Sequence, residues 1–108
     1  HITGGGIPGK LGRILKASGL GATISEPYAP SELMLYCQKQ GNVPDMEAYR
    51  TWNMGQGMII VTPEPDKVMA VAKNHKLESK VIGQVDSDPG IRLSSLGAYA
   101  TNKYLNFA

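Results

Sequence analysis

His1-Ile2-Thr3-Gly4-Gly5-Gly6-Ile7-Pro8 puts three consecutive glycines directly ahead of a helical repeat of apolar residues. Without a Cβ, such positions let another group approach the main chain closely, and amides ahead of a helix can face an anion. Pro8 suits a first helical turn. Ile7, Leu11, Ile14 and Leu15 recur at helical spacing, with Lys10, Arg13 and Lys16 off that face. Gly9 and Gly12 inside the pattern each cost about 1 kcal/mol relative to alanine, so this helix needs tertiary support. Gly19 is a plausible stop, and Ala22-Thr23-Ile24 then reads as a short strand closed by Glu26-Pro27.

The same alternation continues down the chain. Pro30-Ser31-Glu32 opens a second helix through about Gln40, with Leu33, Met34, Tyr36 and Cys37 on its apolar side and Gly41 at its end. Pro44-Asp45 opens a short one toward Trp52. After Asn53-Met54-Gly55-Gln56-Gly57, the β-branched density of Met58 to Thr62 predicts a buried strand. Pro65-Asp66 starts another helix to about Lys76, carrying Val68, Val71 and Ala72 inward, and Ser79 to Val85 is the next strand. Asp86-Ser87-Asp88-Pro89-Gly90, dense in turn formers, suggests a hairpin joining that strand to Ile91-Arg92-Leu93. The tail from Ser94 to Ala108 shows no period and is left unassigned. Helices alternating with strands predict an α/β chain with a mixed sheet.

Composition narrows the function. At 108 residues the chain is one domain; a net charge of +2 offers no basic field for nucleic acid. Cys37 is the single cysteine, which excludes an internal disulfide and a thiolate metal cluster and fits a reducing, cytoplasmic setting. No apolar run approaches the roughly 20 residues that span a bilayer, so a soluble protein is expected. A first residue of histidine points to a numbering that opens inside a longer polypeptide or after a junction.

Each candidate site residue has a plain reading beside a functional one. The glycine row is a flexible turn or an anion cradle, with Thr3 beside it and His1 able to serve as acid, base or phosphate donor near neutral pH. In Tyr49-Arg50-Thr51-Trp52-Asn53-Met54-Gly55-Gln56-Gly57-Met58, either Arg50 meets a ligand beside the glycine-bracketed turn, or Arg50 pairs with Glu47 at helical spacing and Asn53 ties off the helix end. His75 reads as a surface residue at a helix end and Cys37 as core. The two histidines and one cysteine lack zinc spacing, so no metal site is expected.

Taken together, His1 to Gly6 and Tyr49 to Met58, with Gly41-Asn42-Val43 and Val81-Ile82-Gly83, resemble the aminoimidazole ribonucleotide synthetase family, the phosphoribosylformylglycinamidine cyclo-ligases. The resemblance covers roughly residues 1–93 and is to the later part of the family's carboxy-terminal domain. It implies a three-layer α/β/α fold, partly ferredoxin-like, in a two-domain enzyme of purine biosynthesis. Such enzymes use ATP to phosphorylate the formyl oxygen of formylglycinamidine ribonucleotide; a nitrogen then closes the ring and phosphate leaves.

Carried onto this chain, the resemblance puts His1, Thr3, Gly4, Gly5 and Gly6 in the cleft facing the amino-terminal domain. There the glycines would meet the ribonucleotide's phosphate, and His1 would assist proton movement or hold a substrate oxygen. Arg50 and Thr51 would shape the cleft wall, supported by Asn53 and Gly55. ATP and magnesium would be bound mainly by the amino-terminal domain, whose acidic, glycine-rich signature is absent from this sequence. The chain is therefore expected to be inactive alone and to self-associate through apolar surface left uncovered. The competing expectations are a stand-alone phosphosugar or nucleotide binding module without catalysis, and a purely structural association domain.

Overall fold

The computed structural model describes residues 1–100 and 104–108. Helix α1 (Gly6–Ala17) starts on the third glycine and ends where Gly19 turns the chain at φ 69°. Ile7, Leu11 and Leu15 are buried along it, whereas Ile14, expected on the same face, is 65% exposed. At 3.6 residues per turn the buried stripe drifts from Ile7 toward Leu15 and leaves Ile14 on its outer edge.

Strand β1 (Gly21–Ile24) is followed by three helices: α2 (Glu32–Gln40), α3 (Asp45–Thr51) and α4 (Pro65–Asn74). Strands β2 (Gly83–Asp86), β3 (Gly90–Ser94) and β4 (Tyr104–Phe107) complete a four-stranded sheet in the order β2-β1-β3-β4. β1 is antiparallel to β2 and parallel to β3, and β3 is antiparallel to β4. Mixed strands with helices make this the α/β chain that the alternation predicts.

The expected hairpin is not formed. The turn formers do turn the chain, but the turn arches over the start of β1, whose Gly21 is in register with Asp86 on one side and Gly90 on the other. β1 thus lies between the strands that the turn joins. Arg92 secures the arrangement: Nε donates to Thr23 Oγ1 at 3.0 Å, Nη2 to Asp86 Oδ1 at 2.7 Å and Nη1 to the Pro89 carbonyl at 3.2 Å.

Side chains alternate across the sheet. Ala22, Ile24, Ile91, Leu93, Leu105 and Phe107 are buried in the core with Ile7, Leu11 and Leu15 of α1, while Thr23, Gln84, Arg92 and Asn106 share the polar face. Each large apolar side chain taken out of water contributes about 1.5–3 kcal/mol. Ile2, Ala48, Tyr49 and Met54 extend this core toward α3 and the loop after it.

Four local expectations are corrected. Met58 to Thr62 forms no regular element and belongs to no ladder, with Met58 67% and Ile60 57% exposed. A β-branched run becomes a strand only where a neighbour accepts its hydrogen bonds, and no described strand flanks it. The strand expected over 79–85 is limited to Gly83–Asp86, and α4 carries no buried residue although Val68, Val71 and Ala72 were expected inward. Leu33, Tyr36 and Cys37 of α2 are exposed; α2 docks through the buried amide of Gln38 instead. The unassigned tail supplies β4, whose Leu105 and Phe107 complete the core.

Candidate functional site at the glycine row

The three glycines occupy different environments. Gly4 is exposed, and a Cβ built on it meets nothing within 4 Å. Gly5, at φ 97°, caps α1 in a left-handed conformation that favours glycine. Gly6 is buried: a Cβ there would lie 2.0 Å from the Tyr49 carbonyl oxygen and 2.8 Å from that of Trp52, so the start of α1 rests directly on the end of α3. The Gly6 amide donates to the Thr3 carbonyl at 3.0 Å. The amides of Gly4 and Gly5 have no intramolecular acceptor among the described residues. Thr3 and His1 are exposed beside them.

The second motif meets the first. The Ile2 amide donates to the Gly57 carbonyl at 2.9 Å, tying the strand-like entry to the row onto the loop that follows α3. Within that loop, Asn53 Oδ1 accepts from the Gly55 amide at 3.0 Å, and Met54 and Gly55 both adopt positive φ. A Cβ on Gly55 would come within 2.6 Å of the Ala29 carbonyl oxygen. Asn53 and Gly55 therefore shape the loop from inside, as does buried Gln56, which bonds the Met54 and Tyr28 carbonyls and accepts from the Tyr28 amide.

Arg50 and Thr51 lie on α3, the helix against which Gly6 rests. Arg50 Nη1 is 3.6 Å from Glu47, and its guanidinium lies over the Phe107 ring at 5.7 Å. Thr51 Oγ1 donates to Glu47 at 3.3 Å. Both side chains are exposed and held only by these surface contacts, each worth at most about 1 kcal/mol, so they can be redirected toward a ligand.

Sequence reasoning missed Asp45, whose position after Pro44 reads only as a helix start. Its carboxylate is buried and accepts four hydrogen bonds. Burial alone would raise its pKa; the bonds from Ser95, Gln38, Tyr99 and Ala100 outweigh this and hold it below the usual carboxylate value. Tyr49 is fully buried beside it, with its phenol pKa raised by burial and by the Asp45 charge, against the hydrogen bond from the Leu96 amide. The one available signal was a glutamine, Gln38, in the otherwise apolar spacing of α2.

Elsewhere the chemistry is sparse. His75 caps α4 with Nδ1 3.0 Å from the Val71 carbonyl. No cluster of three or more His, Cys, Asp or Glu side chains among the described residues could hold a metal ion. None of the described helices is long and apolar enough to cross a membrane.

Comparison with known proteins covers the stretch that holds both motifs. The family model described as AIR synthase related protein, C-terminal domain, matches residues 1–95. Phosphoribosylformylglycinamidine cyclo-ligase of Methanosarcina acetivorans is 40% identical over 96 residues, covering 89% of this chain and 26% of the relative. That of Methanococcoides burtonii is 36% identical over 96 residues, again 89% and 26%. That of Methanopyrus kandleri is 36% identical over 94 residues, 84% and 26%. The chain spans about a quarter of the length of these relatives.

Proposed function

The chain belongs to the family of AIR synthase related proteins, C-terminal domain, and from that premise we propose that it is the substrate-side portion of a cyclo-ligase of purine biosynthesis. That enzyme converts formylglycinamidine ribonucleotide to aminoimidazole ribonucleotide at the expense of ATP. In this reading residues 1–93 are the family's partial carboxy-terminal domain. The pairing of β4 with β3 argues that residues 104–107 fold with it.

One observation carries the reading. The two motifs are far apart in sequence, yet Ile2 bonds to Gly57 and Gly6 rests on the carbonyls of Tyr49 and Trp52, which leaves the free amides of Gly4 and Gly5 at an open surface. The substrate's phosphate binds there. The N-terminal end of α1 favours the same negative charge. Thr3 adds a hydroxyl donor, and Gly6 holds the row at its proper height. His1 holds a substrate oxygen or moves a proton at it. Arg50 and Thr51 form the cleft wall on the support of Asn53 and Gly55.

Among the described residues no group of three or more His, Cys, Asp or Glu side chains could hold a metal ion by itself. We assign nucleotide binding mainly to an amino-terminal domain of the same enzyme, without which this chain is inactive. That domain and the phosphorylated ribonucleotide are its partners, in the cytoplasm, and further copies of the chain associate with it; nucleic acid and membranes are not.

The experiment is isothermal titration of ribose 5-phosphate into the chain and into a Gly4→Val variant. Gly4 is the apt position, since a Cβ there has no protein atom within 4 Å beyond its chain neighbours. Saturable binding that Gly4→Val weakens at least about tenfold supports the cradle. Equal affinity in the two proteins, or no binding to either, refutes it.

A further inference from the structure

We propose that Asp45 is a positioning residue for the glycine row: a buried carboxylate clamp that fixes α3 against residues 95–100 and so holds the carbonyl shelf on which Gly6 rests. The inference rests on the reading of the row as an anion site.

Asp45 is the first residue of α3 and 6% exposed. Its Oδ1 accepts from Gln38 Nε2 at 2.7 Å and from the Tyr99 amide at 3.2 Å. Its Oδ2 accepts from Ser95 Oγ at 2.6 Å and from the Ala100 amide at 2.7 Å. Gln38 also donates to the Val43 carbonyl at 2.9 Å and accepts from the Ala98 amide at 2.9 Å. The Gly97 amide donates to Ser95 Oγ at 3.2 Å and the Leu96 amide to Tyr49 Oη at 3.0 Å. All five amides from Leu96 to Ala100 thus end on side chains, none on a neighbouring strand.

No lysine or arginine pairs with this carboxylate among the described residues. An apolar side chain would fill the space without the cost of desolvating a charge. A carboxylate with four fixed donors adds direction: it sets both the axial position and the rotation of the helix that carries it. Tyr49 passes that setting on. Its phenol is held by Leu96, while its carbonyl underlies Gly6. Because the Gly6 Cα already sits too close to that carbonyl for any side chain, a small shift of α3 must move the row.

The test is two-dimensional NMR of the 15N-labelled chain and of Asp45→Asn and Ser95→Ala, with and without ribose 5-phosphate. The Asp45→Asn change keeps the volume but turns an NH2 toward donors, and at least one of the Tyr99 and Ala100 amides loses its acceptor. Without ligand, the amide signals of Gly4, Gly5 and Gly6 are expected to move together with those of Tyr99 and Ala100, while those of Gly83 to Asp86 stay in place. Ser95→Ala gives the same pattern at smaller amplitude and decides the matter if Asp45→Asn does not fold. The dissociation constant for ribose 5-phosphate should rise roughly fivefold in Asp45→Asn, as for a site loosened in its supporting shell.

Glycine signals that hold still while Tyr99 and Ala100 move would overturn the proposal, leaving a clamp that serves residues 95–100 alone. Glycine signals that move, in a chain that binds no ribose 5-phosphate, would uphold the clamp and reject the anion site.

Discussion

Gly4 and Gly6 stand two positions apart in a row of identical letters and are glycine for different reasons. Gly6 is forced by the carbonyls beneath it, whereas nothing inside the protein demands glycine at position 4. Gly6→Ala should therefore lower stability by about 3 kcal/mol, and Gly4→Ala by less than about 0.5 kcal/mol, read from urea midpoints. Asp45 makes a second residue-level prediction. Its folded pKa lies below the unfolded value of about 3.9, so its contribution is present above that pH and disappears as pH falls through the folded value. The loss of urea midpoint between neutral pH and roughly pH 3 should be smaller in Asp45→Asn than in the parent chain; equal losses would mean that other carboxylates dominate. The Arg50–Glu47 pair was legible from spacing, because it is local, whereas Asn53, expected to tie off the helix end, instead accepts from the Gly55 amide beyond it. Asp45 was not legible, because three of its four donors, Ser95, Tyr99 and Ala100, lie far along the chain.

Helix starts and stops were the most legible elements. Ser31 caps α2 through the Met34 amide, Pro65 opens α4 and Gly19 follows α1, each by chemistry confined to one turn. Which face a helix buries was less legible, since an apolar stripe says nothing of what will cover it: Leu33 and Tyr36 face outward while Gln38 is buried. The 58–62 run shows the same limit for strands, having the right letters and no described strand beside it. Because Val61 is half exposed there, Val61→Thr should change stability by less than about 0.5 kcal/mol. Leu93→Ala, in the centre of β3, should cost about 2–5 kcal/mol. Chemical denaturation of both variants checks this, and a large loss from Val61→Thr would mean that the run is packed.

Sheet order is a property of the entire chain. A tight turn between two strands ordinarily predicts a hairpin, but here a strand formed far earlier is inserted between them, and no local pattern announces that. The same assembly leaves Met58, Ile60, Leu77 and Val81 exposed around one open apolar groove. Contiguous surface of this kind favours association. Sedimentation velocity should accordingly show mass rising with concentration, and Ile60→Lys should reduce it; a monomer at every concentration would contradict the expected association. The cleft itself is best tested by following amide signals as ribose 5-phosphate is titrated into the 15N-labelled chain. Convergence of the two motifs on one anion site predicts saturable shifts at Gly4 and Gly5, accompanied by Arg50 and Thr51, with β2 and α4 unmoved. Shifts confined to other regions, or no saturable shift at the glycines, would contradict it.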